Sequence, residues 1–233
     1  MKTIGLIGGT GWVSTVEYYR QINEKVNKEK GGLTFAKCIL YSVNYGELEA
    51  MSRQGDTTGV YNLLSGAAHK LISAGADGIA LCANTTHRYA DRLADETKVP
   101  LIHIAEATAK EILTKKLGKV GLLGTRPTME ESFYRDKLAD YGIGTVVPGK
   151  DERDYIHRII NTELIMSIFR EETRERFVDI MRQLEAEGAQ AIVLGCTEIP
   201  LLIRQEHFHL PVLNTLDIHT NAITAFCLEQ PAT

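Results

Sequence analysis

The chain has 233 residues, of which 44% are hydrophobic and 24% are charged, and its formal net charge is −4. This composition is typical of a folded protein with one large domain or two small ones, and it excludes an intrinsically disordered chain. No basic stripe with interleaved aromatic residues occurs, so nucleic acid is not an expected partner. No apolar run reaches the roughly 18 residues that a membrane span needs, and residues 1–6 indicate a first strand rather than a secretion signal.

The four cysteines are widely spaced, and no two of them form a CxxC pair. They are Cys38, Cys82, Cys196 and Cys227. This spacing favours neither a zinc site nor a disulfide framework, and it fits a protein of the reducing cytoplasm.

Short apolar runs alternate with longer stretches of helical periodicity along the whole chain. The predicted strands are 4–7, 36–41, 78–82, 120–123 and 191–194. The predicted helices lie around 18–26, over 60–74, 87–96 and 129–140, in one or two pieces within 155–187, and over 216–228. Ser14 or Thr15 is the expected cap of the first helix, and Thr128 with Glu131 has the spacing of a capping box. Such alternation predicts α/β architecture, with parallel sheets that carry helices on both faces.

The alternation contains an internal repeat. Residues 4–8 resemble 120–124, residues 75–81 resemble 188–194, and residues 99–101 resemble 210–212. Because the three matches occur in the same order at nearly constant spacing, they indicate two copies of one α/β unit. Parallel sheets bind ligands at the carboxyl ends of their strands. Two facing units would therefore enclose a small polar cleft between their strand ends.

Cys196 is the strongest candidate for chemistry, because it follows an apolar strand and begins the phrase Cys196-Thr197-Glu198. A thiol at such a junction can be held as thiolate by backbone N–H groups and the start of a helix, and the thiolate is the form that acts as base or nucleophile. Thr197 adds a hydroxyl donor and Glu198 a charge partner. A small buried structural cysteine is the alternative interpretation.

The loop after the equivalent strand of the first half contains Asn84, Thr85 and His87. Asn84, Thr85 and backbone amides at a helix start suit a substrate carboxylate, although simple helix capping explains the same residues. His87 is either an acid or base near the substrate or a histidine with a structural hydrogen bond.

Two further loops are candidate binding segments. Gly9 and Thr10 lie in a glycine-rich loop that lacks the G-x-G-x-x-G order and the P-loop lysine, which excludes NAD and ATP as expected ligands. A tight turn that brings backbone near a small ligand is the preferred interpretation. In the second half, Thr125 and Thr128 offer hydroxyls at the corresponding strand end, beside Arg126, which could equally be a solvated charge.

These segments together resemble the aspartate/glutamate racemase family, and within it the bacterial L-aspartate/glutamate-specific subgroup. The resemblance is carried by 1–9, Trp12 with 14–15, 18–20, 82–85, 124–126, 128–130 and 195–199. It implies two pseudo-symmetric α/β domains with the active site in the cleft between them, no metal, no pyridoxal phosphate and a homodimer. The second domain is inserted in this family, so the expected domains are 1–98 plus 209–233 and 99–208.

The resemblance also implies a two-base mechanism, in which one group removes the Cα proton and a group on the opposite face returns one. Both groups are usually cysteines, and the subgroup has threonine at the first position. Aligning the two halves here places Ala83, and not Cys82, opposite Cys196. Alanine has no proton to give. Thr10 and Ser52, both expected substrate-binding positions, also differ from the subgroup and leave the substrate open.

Three explanations of Ala83 remain open. The chain is a racemase in which Thr85, a rearranged Cys82 or water carries the second proton. Alternatively, it is a one-base enzyme of the lyase type, in which Cys196 protonates the carbanion left by decarboxylation. The third explanation is a carboxylate-binding homologue without catalysis. The first, an amino-acid racemase acting on aspartate, glutamate or a related amino acid, is the preferred hypothesis.

Overall fold

Two α/β units divide the chain in the computed structural model, which describes residues 1–229. Unit 1 consists of Met1–His103 together with the segment from His219 onward, and unit 2 is Ile104–Ile218. The last four residues of the predicted first domain, 230–233, lie outside the described residues. No helix within 1–229 is both long and apolar enough to cross a membrane.

Unit 1 contains three strands and five helices within the described residues. The strands are β1 (Thr3–Gly8), β2 (Lys37–Ser42) and β3 (Gly78–Leu81). The helices are α1 (Trp12–Lys30), α2 (Tyr45–Arg53), α3 (Thr57–Ser73), α4 (Ala90–Thr97) and, at the end of the chain, α11 (Thr215–Leu228), which begins in unit 2 and continues in unit 1. A 3₁₀ helix, Thr85–Tyr89, precedes α4.

Unit 2 has four strands and six further helices of its own. The strands are β4 (Lys119–Gly124), β5 (Gly144–Val146), β6 (Ile192–Gly195) and β7 (Val212–Asn214). The helices are α5 (Ile104–Thr114), α6 (Arg126–Glu130), α7 (Ser132–Ala139), α8 (Lys150–Thr162), α9 (Glu171–Ala186) and α10 (Ile199–Leu202). Two 3₁₀ helices, Leu164–Met166 and Gln205–His207, lie between these elements.

The strand order of the three-stranded first sheet recurs in three strands of the four-stranded second sheet. The first is ordered β2-β1-β3 and the second β5-β4-β6-β7, and every pairing is parallel. The amide of Ile79 in β3 donates to the Pro100 carbonyl at 2.9 Å, and the amide of Ile192 in β6 donates to the Pro211 carbonyl at 2.9 Å. The predicted pair of pseudo-symmetric parallel-sheet units is therefore confirmed.

The boundaries between the units differ from the predicted ones. Leu101 forms a parallel bridge to Ile79, which keeps residues 99–103 with the first sheet. Strand β7 pairs with β6, which keeps residues 209–218 with the second sheet. Backbone hydrogen bonding, which the composition of these segments does not reveal, sets both positions.

The inner strands β1, β3, β4 and β6 are almost entirely buried. In unit 2, Leu194 and Ile192 of β6 pack in one core cluster with Phe177, whereas Val193 packs in another with Tyr134 on the opposite face. Successive side chains of a strand point to opposite faces, so a strand covered on both sides is apolar throughout. The loop after β6 thus starts from a strand that is buried on both faces.

Two predicted helix starts are wrong. Helix α1 is capped by Gly11, and the hydroxyls of Ser14 and Thr15 donate to the Gly11 carbonyl at 3.0 and 2.7 Å from inside the first turn. The predicted helix over 129–140 is two helices, because Glu131 has extended backbone (φ −74°, ψ 157°) between α6 and α7. Pro127 in the first turn of α6 favours the earlier start and removes the expected capping box.

The turn after β1 requires glycine at position 9. Gly9 has a φ of +90°, and a Cβ there would lie 2.2 Å from the carbonyl oxygen of Val43. The Val43 amide also donates to the Gly8 carbonyl at 2.9 Å, so the loops after β1 and β2 are in direct backbone contact. The close packing of these two loops therefore explains why position 9 requires a residue without a side chain.

We expect Gly9→Ala to lower the free energy of unfolding by about 2–4 kcal/mol, because it combines an unfavourable φ with a backbone clash. Gly66→Ala is the matched control, since Gly66 lies in α3 and an added Cβ would meet open space. The control should gain roughly 0.5–1 kcal/mol. Urea unfolding measures both, and an unchanged midpoint in Gly9→Ala would contradict the assignment.

Candidate active site

Cys196 follows β6 directly and is buried, with a relative exposure of 6%. Its thiol donates to Glu198 Oε2 at 3.1 Å, and the Thr197 hydroxyl donates to the same oxygen at 3.0 Å. Thr197 and Glu198 are buried as well. The predicted phrase therefore forms one compact hydrogen-bonded group, with the Glu198 carboxylate as the acceptor of the thiol proton.

The surroundings of Cys196 keep the proton on sulfur. Burial raises the pKa of the Cys196 thiol well above its ordinary value of 9.0, and the charge of Glu198 raises this pKa further. Backbone hydrogen bonds from Glu198 and Ile199 act in the opposite direction but do not outweigh them. Desolvation and a neighbouring carboxylate both disfavour a second negative charge, so they favour the thiol over the thiolate in the ligand-free protein.

Strand register places Ala83 at the position equivalent to Cys196. Gly5 in the central strand of the first sheet pairs with Ile79, and Gly121 in the central strand of the second sheet pairs with Ile192. The residue four positions after Ile79 is Ala83, and the residue four positions after Ile192 is Cys196. Backbone pairing therefore agrees with the alignment of the two halves.

Cys82 corresponds by the same register to Gly195. Its side chain is fully buried, and its amide donates to the Ile7 carbonyl at 2.9 Å. Burial raises the pKa of the Cys82 thiol far above its usual range. A buried thiol directly after the end of β3, one residue before Ala83, is a poor substitute for the missing base.

The segment after Ala83 is a buried turn rather than a capped α-helix. Asn84 and Thr86 are buried and Thr85 is half-buried. The Asn84 side chain does not cap the 3₁₀ helix that follows. The His87 ring Nδ1 lies 2.8 Å from the Ala83 carbonyl oxygen, which supports the structural interpretation of this histidine.

The glycine-rich loop of unit 1 contains an unsatisfied hydroxyl. Thr10 Oγ1 is buried and has no hydrogen-bond partner among residues 1–229. The neighbouring Gly9 amide donates to Thr15 Oγ1 at 3.0 Å. Ser52, the other unusual position, is exposed on α2 and donates its hydroxyl to the Leu48 carbonyl at 2.9 Å.

The corresponding loop of unit 2 brings two predicted hydroxyls together. The side-chain oxygens of Thr125 and Thr128 are 3.0 Å apart, and Thr128 is fully buried. Arg126 pairs instead with Asp154 at 2.6 Å, and both side chains are partly exposed. The surface-charge interpretation of Arg126 fits this ion pair.

A buried histidine cluster in unit 1 was not predicted from the sequence. The ring centroid of His87 lies 4.8 Å from that of His103 and 5.5 Å from that of His219. Burial lowers the pKa of His87 to about 4, and burial together with nearby His87 lowers that of His219 to about 3. No grouping of three or more His, Cys, Asp or Glu in the described part of the chain could hold a metal ion.

We expect the Cys196 thiol to titrate only above pH 9 in the ligand-free protein. Absorbance at 240 nm, taken as the difference between the wild type and Cys196→Ser, measures its thiolate. Glu198→Gln should move the titration to lower pH, because it removes the carboxylate charge. A thiolate signal from the wild type at pH 8 would contradict this electrostatic account.

Acid should destabilise the fold below about pH 6.5, because His87 and His219 bind protons in the unfolded chain but stay neutral while they are buried in the folded protein. Their contribution is fully present above pH 6.5 and is lost as the pH falls towards 4 and 3. The slope is at most about 1.4 kcal/mol per pH unit for each histidine. Half-buried His157, whose pKa is lowered chiefly by burial, adds to it in the same direction.

Urea unfolding between pH 7.5 and 5 measures this slope. His219→Gln should reduce it, whereas His69→Asn, at an exposed histidine, should preserve it. Glu96, with a pKa of about 2, loses its contribution only below about pH 4.5 and does not interfere. A free energy of unfolding that stays constant from pH 7.5 to 5 would contradict the proposed contribution of the buried histidines to stability.

Relatives of known sequence or structure cover almost the whole chain. It is 25% identical to the broad-specificity amino-acid racemase RacX of Bacillus subtilis over 221 residues, 91% of this chain and 92% of that one. The crystal structure of a candidate Asp/Glu racemase from Yersinia pestis matches with a TM-score of 0.91 and 44% identity, over 98% of this chain and 100% of the other.

An aspartate racemase homologue from Pyrococcus horikoshii, PH1733, matches with a TM-score of 0.83 and 35% identity over 98% of this chain and 100% of its own. The sequence profile of the Asp/Glu/Hydantoin racemase family matches residues 7–223. The chain therefore belongs to the Asp/Glu/Hydantoin racemase family and is an isomerase of the amino-acid racemase class.

Proposed function

We propose that this enzyme racemises aspartate, glutamate or a closely related amino acid by removing and returning the Cα proton, without pyridoxal phosphate and with Cys196 as the principal acid and base. The observation that carries the proposal is the buried contact between the Cys196 thiol and the Glu198 carboxylate. A thiol with a built-in proton acceptor can work in both directions, as the two halves of a racemisation require.

The protonated thiol is the form needed to return a proton to a carbanion. In that direction the S–H bond breaks, the proton joins Cα, and sulfur keeps the negative charge. In the reverse direction, Glu198 first accepts the thiol proton, and the thiolate then takes the Cα proton. The cationic ammonium group of a bound substrate would favour the thiolate that burial otherwise opposes.

Donors around the substrate carboxylate would stabilise the charge that develops at Cα. Asn84, Thr85, Thr125, Thr128 and Thr197 are the proposed donors, together with Gly9 and Thr10. The unsatisfied hydroxyl of Thr10 supports this assignment, because a buried polar atom without a partner gains most from a ligand. The proposed substrate lies at the carboxyl ends of the strands, where ligands of parallel sheets bind.

The opposite face of the substrate poses the main question, because Ala83 stands at the position of the second base. We propose that Thr85 or a water molecule carries the proton there, since Cys82 is buried and its pKa is raised. Either group is a weaker base than a cysteine thiolate, so inversion should be slower than exchange on the Cys196 face.

The oligomeric state and the cellular compartment complete the proposal. The resemblance to dimeric racemases supports a homodimer. The cysteines of the described residues are free, which suits the reducing cytoplasm.

Incubation with each enantiomer of aspartate and glutamate in D₂O tests the proposed function. We expect deuterium at Cα, partly with inversion, measured by proton NMR and chiral chromatography. Cys196→Ser should reduce exchange by about 10²–10⁴-fold, because a positioned proton-transfer group is lost. Cys38→Ser is the matched control and should exchange normally. Cα exchange at the wild-type rate in Cys196→Ser would overturn the proposal. So would a wild-type enzyme that exchanges the Cα proton of none of these amino acids.

Ala83→Cys and Ala83→Thr test the missing base. If position 83 faces the substrate, Ala83→Cys should raise the rate of inversion at least tenfold while exchange with retention changes little. Ala83→Ser is a size-matched comparison with a much weaker acid. Inversion that stays at the wild-type rate in Ala83→Cys would show that position 83 does not supply the second base.

A further inference from the structure

The carbonyl oxygen of Ala83 is held by two side chains of the following turn. His87 Nδ1 lies 2.8 Å from it, and the Thr86 hydroxyl donates to it at 3.0 Å. A carbonyl oxygen only accepts hydrogen bonds, so the contact with Ala83 is a hydrogen bond in the tautomer that carries the ring proton on Nδ1. The His87 ring also has a backbone hydrogen bond to Ile102. The His87 amide closes the same turn by donating to the Asn84 carbonyl at 3.0 Å.

The His87 ring is itself enclosed by His103 and His219, both of which meet it edge-on. These two residues stand where the chain leaves unit 1 and where it returns to it. His219 Nε2 donates to the Ile102 carbonyl at 2.7 Å, and its Nδ1 therefore accepts from the Tyr18 hydroxyl at 2.8 Å. The rings of His87 and His219 have fixed orientations as a result.

We propose that His87 is a positioning residue, which fixes the peptide between Ala83 and Asn84 and so orients both the second-base position and a substrate-binding side chain. The peptide group is planar, so an anchored oxygen also fixes the Cα atoms of both residues. His103 and His219 hold the ring that anchors it. This inference rests on the proposed function, because it assumes that position 83 faces the substrate.

A neutral, buried imidazole suits this task. Its edge contacts with the other two rings leave little room to rotate, and burial keeps it uncharged near neutral pH. Histidine also places a donor at Nδ1, close to its own backbone, where asparagine places its amide nitrogen. Asparagine can therefore replace the hydrogen bond, whereas leucine fills the space without a donor.

The experiment compares Ala83→Cys with the double variants Ala83→Cys/His87→Asn and Ala83→Cys/His87→Leu. We expect the asparagine variant to keep the inversion rate within about threefold. The leucine variant should lose at least tenfold in kcat for inversion, since small misplacements of a reacting group are costly. Exchange with retention on the Cys196 face provides an internal control and should change by less than threefold. His209→Leu in the same background, at an exposed histidine, should change neither rate.

A second measurement separates failure of this inference from failure of the proposed function. Amide hydrogen exchange of residues 83–89, followed by mass spectrometry, reports the turn without any substrate. His87→Leu should lose protection there, and His87→Asn should retain it. If no variant exchanges Cα protons but this pattern holds, the proposed function fails and the anchoring of the turn stands. Equal protection and equal inversion rates in both variants would overturn the positioning role.

Discussion

The parallel register of β3 on β1 and of β6 on β4 is the constraint on which the rest of the molecule depends. The two pairs have the same register: Gly5 of β1 pairs with Ile79, and Gly121 of β4 pairs with Ile192. Residues at the same distance after Ile79 and after Ile192 therefore occupy equivalent positions at the ends of the two strands. Parallel strands direct the following loops to one edge of the sheet. A one-residue shift would turn every side chain to the other face and would put Cys82 in the place of Ala83. Strand register therefore decides which residue of unit 1 is equivalent to Cys196.

Electrostatics then decide what Cys196 can do. A free thiolate beside the Glu198 carboxylate would bring two negative charges together in a dry environment, which the fold disfavours. Both effects favour the thiol over the thiolate in the ligand-free protein. A cationic substrate group would change the balance only when it is bound, so the reactive base would form where it is needed.

Much of this could be predicted from the sequence, because it depends on local patterns. The repeat, the buried strands and the position of Cys196 follow from apolar runs and glycine phrases of a few residues. The alignment of Ala83 with Cys196 follows as well, because both halves keep the same spacing. The break at Glu131 escapes prediction, since helical periodicity continues across it while Pro127 draws the helix start forward. Strand β5, with only three residues, is too short for a periodic signal.

The histidine cluster could not have been predicted in this way. His87 and His219 are separated by more than a hundred residues. The sequence predicts only that His219 lies in the last helix. Its contacts depend on α11 returning to unit 1, which is a tertiary event. The same holds for the unit boundaries, which follow from the pairing of single residues such as Leu101. Local sequence patterns predict the helices and strands, whereas contacts between distant segments determine which side chains come together.

The central proposal is that Cys196 moves the Cα proton of the substrate. A crystal structure of Cys196→Ser with bound D-aspartate tests it most directly. The account predicts that the side chain at position 196 lies about 3–4 Å from the substrate Cα. A ligand bound elsewhere, or one whose Cα does not face position 196, would contradict it.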